Sequence, residues 1–240
     1  MCYTLEINMH IKEMEKELLA EFSRSRVFNP GYYFSAFDLP QLPVVTAHEP
    51  RVITTRQWGL VPFWVKDRKE AEKIRFTSFL SRAEMVGSKQ LFKEAFARRR
   101  CLIIATGFFE WQHRGKERIP HYIHPPERQL LTLAGVHERW TDRESGEILE
   151  TCALITTKAS RFYGAIHNSD LRMPAIIDRD LRSQWLDAGL EPQAVSNLLT
   201  PYREDGLTAH TISKLISSRV DSAQKNVPEL IEEHAYGSLF

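Results

Sequence analysis

Apolar residues change their spacing several times along the chain, and each change marks a predicted element. Ile11, Met14, Leu18 and Phe22 recur at helical intervals with charges between them, which predicts an amphipathic helix over residues 9–25. Asn29, Pro30 and Gly31 end that region, and the aromatic run Tyr32, Tyr33, Phe34 and Phe37 leads to two strand-like stretches, residues 42–47 and 51–61. The bulk of Trp58, Phe63 and Trp64 and the ring of Pro62 place the end of the second stretch at an edge or in a loop. Ser88 caps a predicted helix through Arg99, with Leu91, Phe92, Ala95 and Phe96 on one face. That helix delivers the chain into residues 101–105, a short, wholly apolar run that reads as a buried strand. Further strands are predicted over residues 119–124, 130–134, 151–157 and 207–212, with a polar turn at 142–146 and short helices at 181–186 and 192–199. The order predicts an α+β fold: one domain over residues 1–240, with a mostly antiparallel, barrel-like β core and peripheral helices.

Composition narrows the function classes. A chain of 240 residues without a Pro/Gly/Ser-rich linker fits a single core. No apolar run reaches the length of a bilayer span, so an integral membrane protein is not expected. The first ten residues lack a basic segment followed by an apolar one, which points to a reducing, cytoplasmic compartment. A net charge of +1 neither favours nor excludes a nucleic-acid partner. The local basic groups at Lys66, Arg68 and Lys69 and at Arg98, Arg99 and Arg100 read first as solvated faces.

The chemistry-bearing residues are few. His121 and His124 sit three apart on a predicted strand and therefore on opposite faces; with no H-E-x-x-H and no C-x-x-C, no metal site is expected. Phosphate-cradling and dinucleotide-binding glycine motifs and the G-x-S-x-G elbow are missing as well, so no nucleotide cofactor is expected. Cys101 and Cys152 lie in apolar strands and read as small buried hydrophobes.

Cys2 is different. Removal of Met1 would expose an α-amine of pKa about 8 beside a thiol of about 8.5, two nucleophiles on one residue. An aldehyde could condense with the amine and be trapped by the thiol as a thiazolidine, whereas a peptide substrate would need only the thiolate. The competing reading is a chance cysteine on a frayed terminus. Glu110 leaves an apolar strand flanked by Phe108, Phe109 and Trp111; desolvation there would raise its pKa and keep it available as a proton donor, unless it is a surface acid at a strand end. With His167 in a loop ahead of Arg172, Met173 and Pro174, the economical catalytic set is Cys2, Glu110 and His167. Trp58 and Trp64, near Lys66 and Arg68, could stack on nucleobases, although half-buried core is the favoured reading of such aromatics.

Seven segments then carry a resemblance over nearly the whole chain: Met1-Cys2, WGLVPFW from Trp58, SRAE from Ser81, RCLIIATGFFEW from Arg100, LAGVHERW from Leu133, CALITTKA from Cys152 and IHNSDLRMP from Ile166. In this order and spacing they resemble the SRAP family, the SOS-response-associated peptidase-like proteins. The resemblance implies a sensor of abasic sites in single-stranded DNA that links covalently to them through the N-terminal cysteine as a thiazolidine. It implies Cys2 as nucleophile, Glu110 as acid/base and His167 as proton shuttle. Arg82 would grip a phosphate, the Trp58–Trp64 segment would lie against splayed bases, and Ser81 and Arg172 would complete the DNA-binding set.

The partner implied is single-stranded DNA, with a monomeric protein, no cofactor and no membrane. The sequence also departs from the family's usual pattern, with Leu80-Ser81-Arg82 in place of Asn-Ala-Arg, Tyr3-Thr4 in place of Gly-Arg, and a longer spacing from His167 to Arg172. Two other readings use the same residues: a thiol peptidase acting through Cys2, and a non-catalytic single-strand binder.

Overall fold

The computed structural model describes residues 2–127 and 129–237. Its strands, in chain order, are β1 (Thr4–Ile7), β2 (Glu21–Phe22), β3 (Gly31–Ser35), β4 (Gln41–Thr46), β5 (Val52–Trp58), β6 (Leu80–Arg82), β7 (Arg100–Ala105), β8 (Gly107–Arg114), β9 (Glu117–His124), β10 (Leu131–Thr141), β11 (Ile148–Lys158), β12 (Arg172–Pro174) and β13 (Thr208–Thr211). The helices that matter for the site are α1 (Ile11–Leu18), α2 (Arg68–Arg75), α3 (Ala83–Val86), α4 (Gln90–Arg98) and α5 (Arg161–Ile166).

Five strands close on themselves. β5 pairs with β4, β4 with β7, β7 with β10 and β10 with β11, all antiparallel, and β11 returns to β5 through a short parallel pairing at Thr151–Gln57 and Cys152–Trp58. The central strand β7 is buried along its whole length, because its inner face fills the barrel while α4 and the helix Arg182–Leu186 pack against it. This is the barrel-like, mostly antiparallel core with peripheral helices that the apolar spacing predicts. Arg100, expected on a solvated face, is instead buried: its guanidinium donates to the carbonyls of Trp185, Phe96, Ala97 and Asp187, tying two helix ends to the barrel.

A second sheet, in the order β13-β9-β8-β1-β3, supplies the site. β7 and β8 are separated by Thr106 alone, so the chain turns one corner and changes sheet. Gly107 belongs there for a steric reason: a Cβ at this position would lie 2.3 Å from the ring of Tyr122. β1 runs antiparallel to β8, with Leu5 opposite Phe108 and Glu6 opposite Gly107. Extending that register by two residues sets Tyr3 beside Glu110, which brings the start of the chain to the aromatic-flanked acid. The N-terminal helix is shorter than its periodicity predicts, because Leu19 adopts φ 53° and turns the chain into β2. No helix among the described residues is long and apolar enough to cross a membrane.

Candidate active site

Strand parity aims the acid inward. Phe108 and Glu110 share one face of β8, and Phe108 lies in the main core against the ring of Tyr163, with centroids 5.6 Å apart. Glu110 is 1% exposed, so the surface-acid reading is excluded. Burial pushes its pKa up from the ordinary carboxylate value to about 7.

Cys2, two residues ahead of β1, is also 1% exposed, and its Sγ lies 4.0 Å from the Thr4 carbonyl oxygen. Burial and then the Glu110 charge hold its thiol well above the ordinary range, so at neutral pH it is S–H. Cys2 is therefore held in the fold and not on a frayed end. Met1, whose removal decides whether the α-amine of Cys2 is free, lies outside the described residues.

His167 reaches the same place from the other side of the core. Ser160 caps α5 by accepting from the Tyr163 N–H, and His167 closes the helix with its own N–H on the Tyr163 carbonyl at 2.8 Å. Its Nδ1 lies 2.7 Å from the Arg172 carbonyl oxygen. A carbonyl can only accept, so Nδ1 carries the proton and Nε2 presents a lone pair, 3.6 Å from Glu110 Oε2. Burial lowers the pKa of His167 while it raises that of Glu110. Both shifts favour a neutral imidazole facing a half-protonated carboxyl near pH 7, a proton-sharing pair rather than an ion pair. The long spacing from His167 to Arg172 does no harm to this geometry. Asn168 staples the loop to the His113 backbone through two hydrogen bonds of 2.9 Å, and Leu171, at φ 50°, turns it back.

A cleft of about 910 Å³ opens onto Tyr3, Glu110, Trp111 and His167, with Lys116, Arg118 and Lys214 at its wall. Beyond Tyr3 lies a smaller one of about 300 Å³, lined by Phe76, Phe79, Leu80, Ser81, Arg82 and Met85. Another cavity, of about 650 Å³, surrounds Glu6, Tyr122 and His124, and none of the sequence-predicted site residues line it. Among the described residues no group of three or more His, Cys, Asp or Glu side chains is placed to hold a metal ion.

The expected DNA-binding residues divide. Arg82 lies in the smaller cleft, its side chain 53% exposed and 3.6 Å from Asp170. Ser81 lines the same cleft but pairs its backbone with Ile155 and buries its hydroxyl.

Trp58 is a correction. It is 0% exposed and its indole N–H donates to the Phe79 carbonyl at 3.0 Å, because it ends a barrel strand rather than an edge or loop. Trp64 packs with Val61, Val65, Ala71 and Trp140 and lines neither cleft. Arg172 is corrected too: it is buried, forks onto both oxygens of Glu84 at 2.8 and 3.0 Å, and donates to the Thr156 carbonyl at 2.6 Å. The aromatics that line the clefts are Tyr3, Phe76, Phe79 and Trp111; of these Phe79 is buried and packs edge-on to Tyr3. Sequence reasoning passed over Tyr163, whose spacing of four residues from His167 on a helix was the available signal.

Comparison with known proteins places the chain in a family. The family model described as SOS response associated peptidase (SRAP) matches residues 1–219. An abasic site processing protein of Bacillus subtilis, YoqW, is 31% identical over 224 residues, covering 91% of this chain and 95% of its own. The Gallus gallus protein HMCES, also named an abasic site processing protein, is 33% identical over 200 residues; the match covers 74% of this chain and 58% of that one. A crystal structure from Bacteroides thetaiotaomicron superposes with a TM-score of 0.89 at 27% identity, covering 98% of this chain and all of that one. One from Bordetella bronchiseptica shares the fold at a TM-score of 0.76 and 21% identity, covering 88% of this chain and all of that one.

Proposed function

This chain belongs to the SOS response associated peptidase (SRAP) family, and from that premise we propose that it processes abasic sites in single-stranded DNA by joining Cys2 covalently to the opened sugar. The observation that carries the reading is the convergence of a carboxyl poised near pH 7 and a neutral histidine, both lining one cleft, with the buried Cys2 thiol that feels the Glu110 charge. An abasic deoxyribose exists mostly as a closed hemiacetal, and opening it requires one proton removed from the C1′ hydroxyl and one delivered to the ring oxygen. Glu110, about half protonated at pH 7, can do either.

With Met1 removed, the α-amine of Cys2 adds to the aldehyde and the carbinolamine loses water to give the imine. Sγ then adds to the imine carbon, and the thiol proton passes to the nitrogen as the C–S bond forms. One water leaves and nothing is oxidised. The raised thiol pKa suits this order, because the sulfur keeps its proton until the electrophile is in place. Glu110 and the Nε2 lone pair of His167 then serve as acid and base for the same steps in reverse, making the link reversible.

Substrate features follow from the walls. Lys116, Arg118 and Lys214 on one side and Arg82 on the other favour a phosphate backbone across the cleft mouth, and Tyr3, Phe76 and Trp111 offer stacking faces that accept any base. A single strand, with its bases unpaired, fits these surfaces.

The test is a denaturing gel of Met1-processed protein mixed with an abasic single-stranded oligonucleotide. A denaturant-stable adduct that Cys2→Ala abolishes is expected. A thiol peptidase would need Sγ but not the amine, so blocking the amine while sparing the thiol must abolish the adduct; persistence would favour that other chemistry. A non-catalytic binder would retain intact and abasic strands alike, and neither would survive denaturant.

A further inference from the structure

Resting on the aldehyde-trapping reading above, we propose that Tyr163 is a positioning residue of the site: its phenolic O–H is placed to donate to Glu110 when that group becomes the carboxylate and, with His167 one helical turn on, holds that carboxyl toward Cys2. Tyr163 is completely buried, and its ring is fixed on two sides. It packs against Phe108 at 5.6 Å and stands edge-on to His167 at 6.2 Å and 81°. A phenylalanine would make both contacts equally well.

The hydroxyl is therefore what needs an explanation. It is sealed from solvent and makes no hydrogen bond of ordinary length among the described residues. The polar groups it feels are the Glu110 carboxyl, whose charged form it stabilises, and the Cys2 thiol. A buried hydroxyl without a full-strength partner is a cost to folding. Its nearness to both the acid and the nucleophile gives that cost a use: the bond forms when Glu110 becomes the carboxylate, and catalytic hydrogen bonds are often long before substrate binds.

The backbone makes the three residues one unit. Tyr163 lends its carbonyl to the His167 N–H at 2.8 Å, so moving α5 moves the phenol and the imidazole together. Among the described residues, the ionisable groups around Glu110 are Cys2 and Tyr3 just ahead of β1, His121 from the facing position on β9, Tyr163 and His167 from α5 and its cap, and Asp170 from the loop beyond. Of these, Tyr163 is a neutral donor throughout the physiological range, because burial holds its phenol well above its ordinary pKa.

Tyr163→Phe separates this role from packing. Its melting temperature should match or exceed that of the wild type, since both ring contacts remain. The Glu110 carboxyl, followed by carbon-13 NMR in the DNA-free protein and assigned with Glu110→Gln, should titrate about one unit higher, because the carboxylate has lost a donor. The acid limb of the crosslinking-rate profile with an abasic single-stranded oligonucleotide should move up with it, and the rate at pH 7 should fall roughly tenfold.

An unchanged Glu110 titration would overturn the proposal whatever happens to the rate, and so would a slower reaction with an unshifted profile, which is the mark of a packing role. If the wild-type protein forms no adduct, the functional reading fails on its own, and the DNA-free titration still decides the place of Tyr163.

Discussion

Two acid–base pairs hang from the same short segment, and they have been built to opposite ends. Arg172 and Glu84 meet through two charge-assisted hydrogen bonds, and that contact with Arg172 holds Glu84 below the usual carboxylate range. His167 and Glu110, five residues away in the chain on the histidine side, stand 3.6 Å apart in a drier place, and burial lifts Glu110 to about 7. The two are physically linked, since the carbonyl of Arg172 fixes the His167 ring. One pair has close geometry and a permanent cation, so its charge is locked. The other has a titratable partner and little solvent, so its proton is mobile. Distance, hydration and the identity of the base decide whether a carboxylate is a brace or a reagent.

The largest expected effect comes from removing the reagent. Glu110→Gln should slow adduct formation with abasic single-stranded DNA about a hundredfold, the usual scale for loss of a general acid–base group. Its folding stability should not fall, because a buried ionisable group has gone. A rate within threefold of wild type would show that Glu110 is not the proton carrier.

Breaking the brace should do the reverse. Arg172→Met removes the fork to Glu84 and the bond to the Thr156 carbonyl, and should lower stability by about 2 kcal/mol, read from the urea midpoint. It should slow the reaction mainly by loosening His167. Equal loss of activity in both variants with no loss of stability in Arg172→Met would erase the distinction between the pairs.

Acidity separates them a third way. The folded protein binds the Glu110 proton more tightly than the unfolded chain does, so this contribution to stability is complete below pH 4.5 and declines as pH rises to about 7. Glu84 runs the other way: its contribution is present above the ordinary carboxylate pKa and is lost as pH falls through its lowered folded value. The stability difference between wild type and Glu110→Gln should therefore shift by about 3 kcal/mol between pH 4.5 and pH 7.5, from urea unfolding at each pH. A pH-independent difference would mean that Glu110 ionises normally.

Much of this was legible before the structure, for identifiable reasons. Glu110 announced itself as an acid leaving an apolar strand among aromatics, although only Phe108 shares its face of β8, while Phe109 and Trp111 pack in the other cluster. The barrel strands showed in their short apolar runs. Trp58 misled because bulk was taken for an edge signal, whereas a closed barrel has no edge at β5 and its interior takes a tryptophan. Arg172 misled because a residue's charge says nothing of its partner: Glu84 lies 88 positions away in the chain, and only the fold joins them. Tyr163 escaped because no helix was predicted over residues 161–166, and its hydroxyl acquires meaning only when β8 is laid against α5.

The smallest expected effect concerns an arginine in a third setting. Arg82 is exposed and loosely paired with Asp170, so it is free to exchange that acid for a phosphate. Arg82→Ala should weaken single-strand binding severalfold and reduce the logarithmic salt dependence by about one, without changing stability. An unchanged salt slope would remove Arg82 from the phosphate path.

The central claim, that a buried N-terminal aminothiol traps a sugar aldehyde beside its own proton donor, is tested most directly by intact mass. Protein lacking Met1, incubated with an abasic single-stranded oligonucleotide and measured under denaturing conditions, should gain the mass of the oligonucleotide less one water. The gain should vanish in Cys2→Ala. No mass gain, or an equal gain in Cys2→Ala, would contradict the account.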